Sequence, residues 1–237
     1  MSGDSPALFM ARILQRVDLG RMAYAPALKL QEWLVGERQA GRRPDILVLV
    51  EHDPVYTLGR NAREENLLAG DDFLARKGIK VFRTGRGGDI TYHGPGQLVG
   101  YPIIDLRDHG LTVVSYVARL ESLISCVLAE YGLASQTDRR NRGVWIGNEK
   151  IAAIGVRIAR YVTMHGFALN VTTDLENYAG IVPCGIRDKG VTSLNKFSGN
   201  ITMAAAGQAV AKHFIDLFRY DSTVEIAPAA LLKEAGV

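Results

Sequence analysis

Cys184 lies in the run Ile181-Val182-Pro183-Cys184-Gly185-Ile186, between a proline and a glycine, just past an apolar strand-like stretch. A turn of that kind presents a thiol to a substrate. A free thiol ionises near pH ~8.5, so only a few per cent is thiolate at neutral pH, and a nucleophilic cysteine needs a cation or a base beside it. Lys150 is the candidate. As an ammonium it would stabilise the thiolate, and as a desolvated amine it would take the proton. It stands at the mouth of the apolar run Ile151-Ala152-Ala153-Ile154. Its separation from Cys184 does not by itself bring the two together. The alternatives are a solvated turn lysine and a small buried cysteine. The second of the two cysteines, Cys126, falls inside a helical stretch and off its apolar stripe, which gives it a structural reading.

A second polar concentration is Arg86-Gly87-Gly88-Asp89-Ile90-Thr91-Tyr92-His93-Gly94-Pro95-Gly96-Gln97. Gly87 and Gly88 let backbone approach a ligand closely. Thr91, Tyr92 and His93 add hydroxyl and imidazole groups, and Gly94-Pro95-Gly96 forces a turn. The stretch carries neither of the glycine-rich nucleotide signatures, so a structural hairpin competes with a binding loop. His165 precedes Gly166-Phe167-Ala168-Leu169-Asn170 and reads first as a hydrogen-bonded structural residue, with an accessory role as the alternative. His52, His109 and His213 show no metal-ligand spacing, and no metal is expected.

Several elements must position these groups. Residues 26–40 read as a helix, with Pro26 in its first turn and Gly41 after its end. Residues 46–50 form a continuous apolar run, a strand buried on both faces. Strands are expected at 81–83 and 98–104, flanking the glycine-rich stretch, and again at 143–146, 151–158 and 163–171. Residues 112–131 carry a helical stripe of Val113, Val117, Leu120, Ile124, Val127 and Tyr131, closed by Gly132. Residues 203–218 form another helix, with Val210, Phe214, Leu217 and Phe218 inward. Strands outnumber helices and do not alternate with them, which favours an α+β fold with a mixed sheet.

No linker or repeat interrupts the chain, so residues 1–237 read as one domain with a core at about 13–220. A net charge of +3 implies an acidic partner or nothing beyond solubility. The short cluster of Arg139, Arg140 and Arg142 is not a basic run of the kind that binds nucleic acid, so no nucleic-acid partner is expected. Two cysteines form neither a disulfide framework nor a zinc pair. No apolar run approaches the ~18–20 residues of a membrane span, and the N-terminal residues lack a secretory stretch. The expectation is a cytoplasmic protein with no membrane partner.

Taken together, the segments 86–97, Gly143-Val144-Trp145 running into Lys150–Gly155, His165–Val171 and 181–186 resemble the octanoyltransferase family, also called lipoyl(octanoyl) transferase or lipoate-protein ligase B. The order agrees, as does the 34-residue separation of Lys150 from Cys184. The resemblance covers roughly residues 13 to 220. It implies the lipoate/biotin protein ligase-like fold. The implied reaction moves an octanoyl group from octanoyl-acyl carrier protein to a lysine of lipoyl domains, in 2-oxoacid dehydrogenase complexes and the glycine cleavage H protein. It needs no ATP, metal or other cofactor. The residue matching Cys184 carries the acyl thioester and the one matching Lys150 activates it. Arg86, Gly87, Gly88, Asp89, Ile90, Thr91, Tyr92 and His93, with Ala153, Ile154, Gly155, Gly166, Phe167 and Ala168, line the substrate site.

The residues also leave backbone N–H groups near Gly185 or in the glycine-rich loop as oxyanion donors, and Ile154, Phe167 and Leu169 as acyl-tunnel walls. The rival readings are an ATP-dependent lipoate or biotin ligase, which needs no Cys184, a non-catalytic acyl-binding protein, and a cysteine hydrolase. Exclusion of water separates the last from a transferase.

Overall fold

The computed structural model describes residues 11–185 and 189–237; Ile186 of the cysteine motif lies outside the described residues. The described chain builds two sheets. The larger is assembled from β1 (Ile13–Met22), β2 (Asp45–His52), β6 (Gln97–Ile103), β7 (Gln136–Thr137), β8 (Gly143–Ile146), β9 (Glu149–Ala159), β10 (Val162–Asn170), β11 (Gly190–Val191) and β12 (Ser222–Glu225). Its order is β12-β1-β2-β6-β10-β9-β8-β7, with β11 added along β9. The first three are parallel and the rest of that path is antiparallel. The smaller sheet is β4 (Lys80–Arg83), β3 (Val55–Leu58) and β5 (Ile90–His93), in that order. The mixed sheet of an α+β fold is therefore what the chain forms.

Burial follows position in the sheet. The apolar run expected at 46–50 is β2, held between β1 and β6, and residues 45–50 are all buried. One face of the large sheet is covered by α3 (Val113–Glu130) and α4 (Met203–Phe218), packed on Leu47, Leu49, Leu98, Phe167 and Leu169. The other face is covered by α1 (Tyr24–Gln39) and by α5 (Pro228–Ala235), on Val48, Val50, Val99 and Ala168. A short helix, α2 (Asp71–Lys77), joins the small sheet, whose inner side buries Tyr56, Ile90, Tyr92 and Tyr178.

Two expectations are corrected. The stripe on α3 is rotated: Tyr116, Leu120, Leu123, Ile124, Val127 and Leu128 are buried, whereas Val113 is 49% exposed. The helix begins at Thr112, whose side chain closes a capping box with Ser115, so its first turn stands clear of the core. The stretch 86–97 is neither one loop nor one hairpin. It is a loop, then β5, then a turn that hands the chain from the small sheet to β6 in the large one.

Candidate active site

β9 brings Cys184 to Lys150. Beyond the turn at Pro183–Gly185, β11 runs parallel to the start of β9 with Val191 opposite Lys150, and Thr192 N donates to the Lys150 carbonyl over 3.0 Å. On the near side of the turn, Ile181 bridges to Leu67, and Val182 N donates to the Asn66 carbonyl over 2.8 Å. Anchored at both ends, the turn puts Cys184 at φ +57 and Gly185 at φ +70. A non-glycine residue in the left-handed region costs roughly 1–2 kcal/mol, and such strain gathers at functional sites.

Lys150 Nζ donates to Cys184 Sγ over 3.3 Å and to the Arg142 carbonyl over 3.1 Å. Its ammonium lies 4.7 Å from the centroid of the Trp145 ring. The residue is only 6% exposed, and no carboxylate among the described residues pairs with it. Apart from the thiol, the Lys150 amine thus meets only a carbonyl and an aromatic face among the described residues. The Arg142 carbonyl is fixed from α3: buried Glu121 accepts from Arg142 Nη1 over 2.8 Å and from Gly143 N over 3.1 Å.

The glycine-rich loop faces this pair. Arg86 is buried, donating to the Thr57 carbonyl, the Thr57 hydroxyl and the Gly87 carbonyl. Burial pushes its proton affinity down, opposed by Tyr24 and then Cys184. Gly87 N donates to the Val156 carbonyl over 2.9 Å, docking the loop on β9. Gly155 permits that approach, because a Cβ there would stand 3.0 Å from the Gly87 carbonyl oxygen. Asp89 accepts from Ile90 N, Arg63 N and Asn66 Nδ2, so it braces the segment that anchors Val182.

Two cavities meet at Cys184. An open cleft of about 840 Å³ is lined by Lys150, Gly87, Gly88, Asp89, Ile154 and Gly155 among others. A narrow slot of about 40 Å³ runs from the same thiol between the loop and the large sheet. Arg86, Gly88, Asp89, Thr91, His93, Ala153, Ile154, Gly155, Gly166, Phe167 and Ala168 all face the slot, and Gly87 faces the cleft alone. Ile90 and Tyr92 face neither; strand alternation turns Thr91 and His93 to the slot and these two into the core of the small sheet. Leu169 likewise points into the α3 and α4 core. Cys126 lines neither cavity. Sequence reasoning missed Thr57, Asn66, Glu121, Tyr24 and Tyr101, whose parts here depend on distant partners that carry no local signal. Trp145 stood in a recognisable segment, but nothing marked its ring as the platform for Lys150. Among the described residues no three His, Cys, Asp or Glu side chains form a metal-ligand group, and no described helix is long and apolar enough to cross a membrane.

His165 sits on the slot wall at φ +60, its N–H donating to Gln31 Oε1 over 3.0 Å. Its Nε2 has no partner among the described residues. Desolvation, then Arg86 and Arg157, pushes its pKa down to about 3. Desolvation, then His52, pushes His93 to about 3, and desolvation holds His52 at about 4. The slot therefore carries no imidazolium at neutral pH. In the unfolded chain these rings take up protons near pH ~6.5, so the unfolded state binds more protons below that pH and stability falls with acidification. The urea midpoint is expected to drop between pH 7 and 5, where carboxylates stay ionised, and His93→Asn should flatten the slope by roughly one proton. A flat wild-type profile would refute the neutral buried histidines.

A thiol with a lysine amine at its sulfur thus stands at the point where a slot and a cleft join. Residues 23–215 match the family model of the lipoyl protein ligase A/B catalytic domain. The octanoyltransferase of Solibacter usitatus is 50% identical over 92% of this chain and 97% of that protein. That of Alkaliphilus metalliredigens is 46% identical over 90% and 99%. The fold is that of a lipoate-protein ligase A solved with ATP, with a TM-score of 0.77 at 18% identity over 95% of this chain and 94% of that one. The chain belongs to the lipoyl protein ligase A/B catalytic domain family, among its octanoyltransferases.

Proposed function

We propose that this chain moves an octanoyl group from the thioester of an acyl carrier protein to a lysine of a lipoyl domain, through an acyl thioester on Cys184. The observation that carries the reading is the 3.3 Å contact of Lys150 Nζ with Cys184 Sγ at the junction of cleft and slot. The Cys184 thiolate attacks the donor carbonyl, and the carrier thiolate leaves with a proton from the Lys150 ammonium. The acceptor amine then attacks the Cys184 thioester. Its proton passes to the now neutral Lys150, and the Cys184 thiolate is expelled, which restores the starting pair. Gly185 N is already committed to the Val182 carbonyl, so the tetrahedral oxyanion falls to the Gly88 and Asp89 amides, which have no acceptor among the described residues. The donor is already activated, so the reading requires no ATP.

Incubation with octanoyl carrier protein, without ATP, should add one octanoyl mass that hydroxylamine removes, and a lipoyl domain should then take it up. A requirement for ATP and free octanoate would favour the ligase reading instead. The small pair Ala153 and Ala168, opposite each other on β9 and β10, leaves the slot open. Ala153→Leu should therefore cut acylation by octanoyl donors roughly tenfold relative to butanoyl donors, at an overpacking cost of about 1–3 kcal/mol in stability. Equal loss with both chain lengths would place the acyl chain elsewhere.

A further inference from the structure

The chain's positive charge is gathered in the cleft. Six cationic side chains line it, against the two carboxylates of Glu65 and Asp89, an excess of four in a chain whose whole net charge is +3. Three of the six have assigned partners: Lys150 holds Cys184, Arg142 holds Glu121 and Arg63 lies beside Glu65. Arg60, Arg140 and Arg157 have no carboxylate partner among the described residues. On β9, Ile154 and Val156 stand between Lys150 and Arg157 and line the same cleft, with Val113 and Val117 adding to its apolar wall. Cations beyond an apolar passage suit a ligand that is anionic at one end and reaches the sulfur at the other.

The spacing fits such a ligand. The Lys150 side chain runs along β9 to Gly143, which pairs with Ala153, so the amine at the sulfur stands four positions short of Arg157, roughly 13 Å of strand at ~3.3 Å per residue. An arm of roughly thirteen bonds, the length of a phosphopantetheine group from sulfur to phosphorus, extends to about 17 Å with peptide-like bond lengths. We propose that Arg60, Arg140 and Arg157 bind the phosphate of a pantetheine-type thioester arm, with the arm lying along the cleft and its thioester at Cys184. The site deepens the reading of the chain as an octanoyltransferase and rests on it for the position of the thioester. Guanidinium groups suit a phosphate because they offer paired N–H donors in one plane.

The test compares two protein-free donors, octanoyl-pantetheine and octanoyl-4′-phosphopantetheine, by the rate at which Cys184 gains octanoyl mass at low salt. The phosphorylated donor should react roughly ten times faster or more, from a hydrogen bond to a charged group. The advantage should shrink as salt rises and should collapse in the triple variant Arg60→Gln/Arg140→Gln/Arg157→Gln. Arg76→Gln, on the exposed α2, should keep it. Equal and measurable wild-type rates for the two donors overturn the proposal, as does an advantage that survives in the triple variant. Acylation of a lipoyl domain by octanoate with ATP assigns the cations to a nucleotide and also overturns it. Calorimetry on Cys184→Ala with acyl-free 4′-phosphopantetheine and pantetheine reads the site apart from the chemistry. Equal affinities reject the phosphate site even if transfer is confirmed, and tighter binding of the phosphorylated arm upholds it even if neither donor acylates the thiol.

Discussion

Cys184→Ala is expected to abolish octanoyl transfer, with a loss of roughly 10⁴-fold or more, as for other enzymes stripped of a covalent nucleophile. The fold should survive. Cys184 makes no packing contribution to the three buried apolar clusters. Alanine must still adopt φ +57, so the backbone strain at the turn is kept rather than added. The variant should take no octanoyl mass from the donor, while its thermal unfolding midpoint stays within a few degrees of wild type. Cys184→Ser separates nucleophile from shape. A hydroxyl is far less ionised than a thiol, so serine should form an ester slowly or not at all, and any adduct should resist hydroxylamine more than a thioester does. Full transfer by the alanine variant would show that the acceptor amine attacks the donor directly.

Lys150→Met is the second large effect. It keeps much of the buried stem over Trp145 and removes the cation at the sulfur. Acylation should slow by roughly 10²–10⁴-fold at neutral pH, the span of a positioned proton-transfer group. Alkaline pH should restore part of that loss, because an unaided thiol ionises near pH ~8.5. The second half-reaction should remain impaired, since no amine is left to accept the proton of the attacking lysine. Octanoyl-enzyme formed slowly at high pH should thus persist when a lipoyl domain is added. Lys150→Arg keeps the charge but not a group able to lose it, and should recover acylation better than deacylation. Equal rates for Lys150→Met and wild type at neutral pH would remove the lysine from the mechanism.

Both predictions concern residues that the chain displays openly, and much of the framework around them is equally open. The apolar run of β2, the strands β8 to β10 and the helices α3 and α4 emerge from periodicity, because each has a face or a whole body that only burial can satisfy. The strand β1 does not. Its sequence Ile-Leu-Gln-Arg-Val-Asp-Leu-Gly-Arg-Met interleaves charges with apolar residues, and only its parallel pairing with both β2 and β12 makes it a strand. The short strands β3 and β5 were hidden among turn residues, since pairing with each other rather than local propensity sustains them.

The sequence by itself determined which groups could do chemistry. It offered a turn cysteine, a strand-mouth lysine and a glycine-rich loop, each defined by residue type and immediate neighbours. It left open whether the lysine met the cysteine, which side of β5 faced the ligand, and that Glu121, Thr57 and Asn66 serve the site from far along the chain. Tertiary structure decided these. The β11 and β9 pairing closes the 34-residue separation between Lys150 and Cys184. The stacking of the small sheet sends Thr91 and His93 to the slot and Ile90 and Tyr92 inward. The physical reason is the same in each case. Local sequence fixes how a segment is shaped and which residues share a face, whereas what that face meets depends on hydrogen bonds and packing with segments tens of residues away.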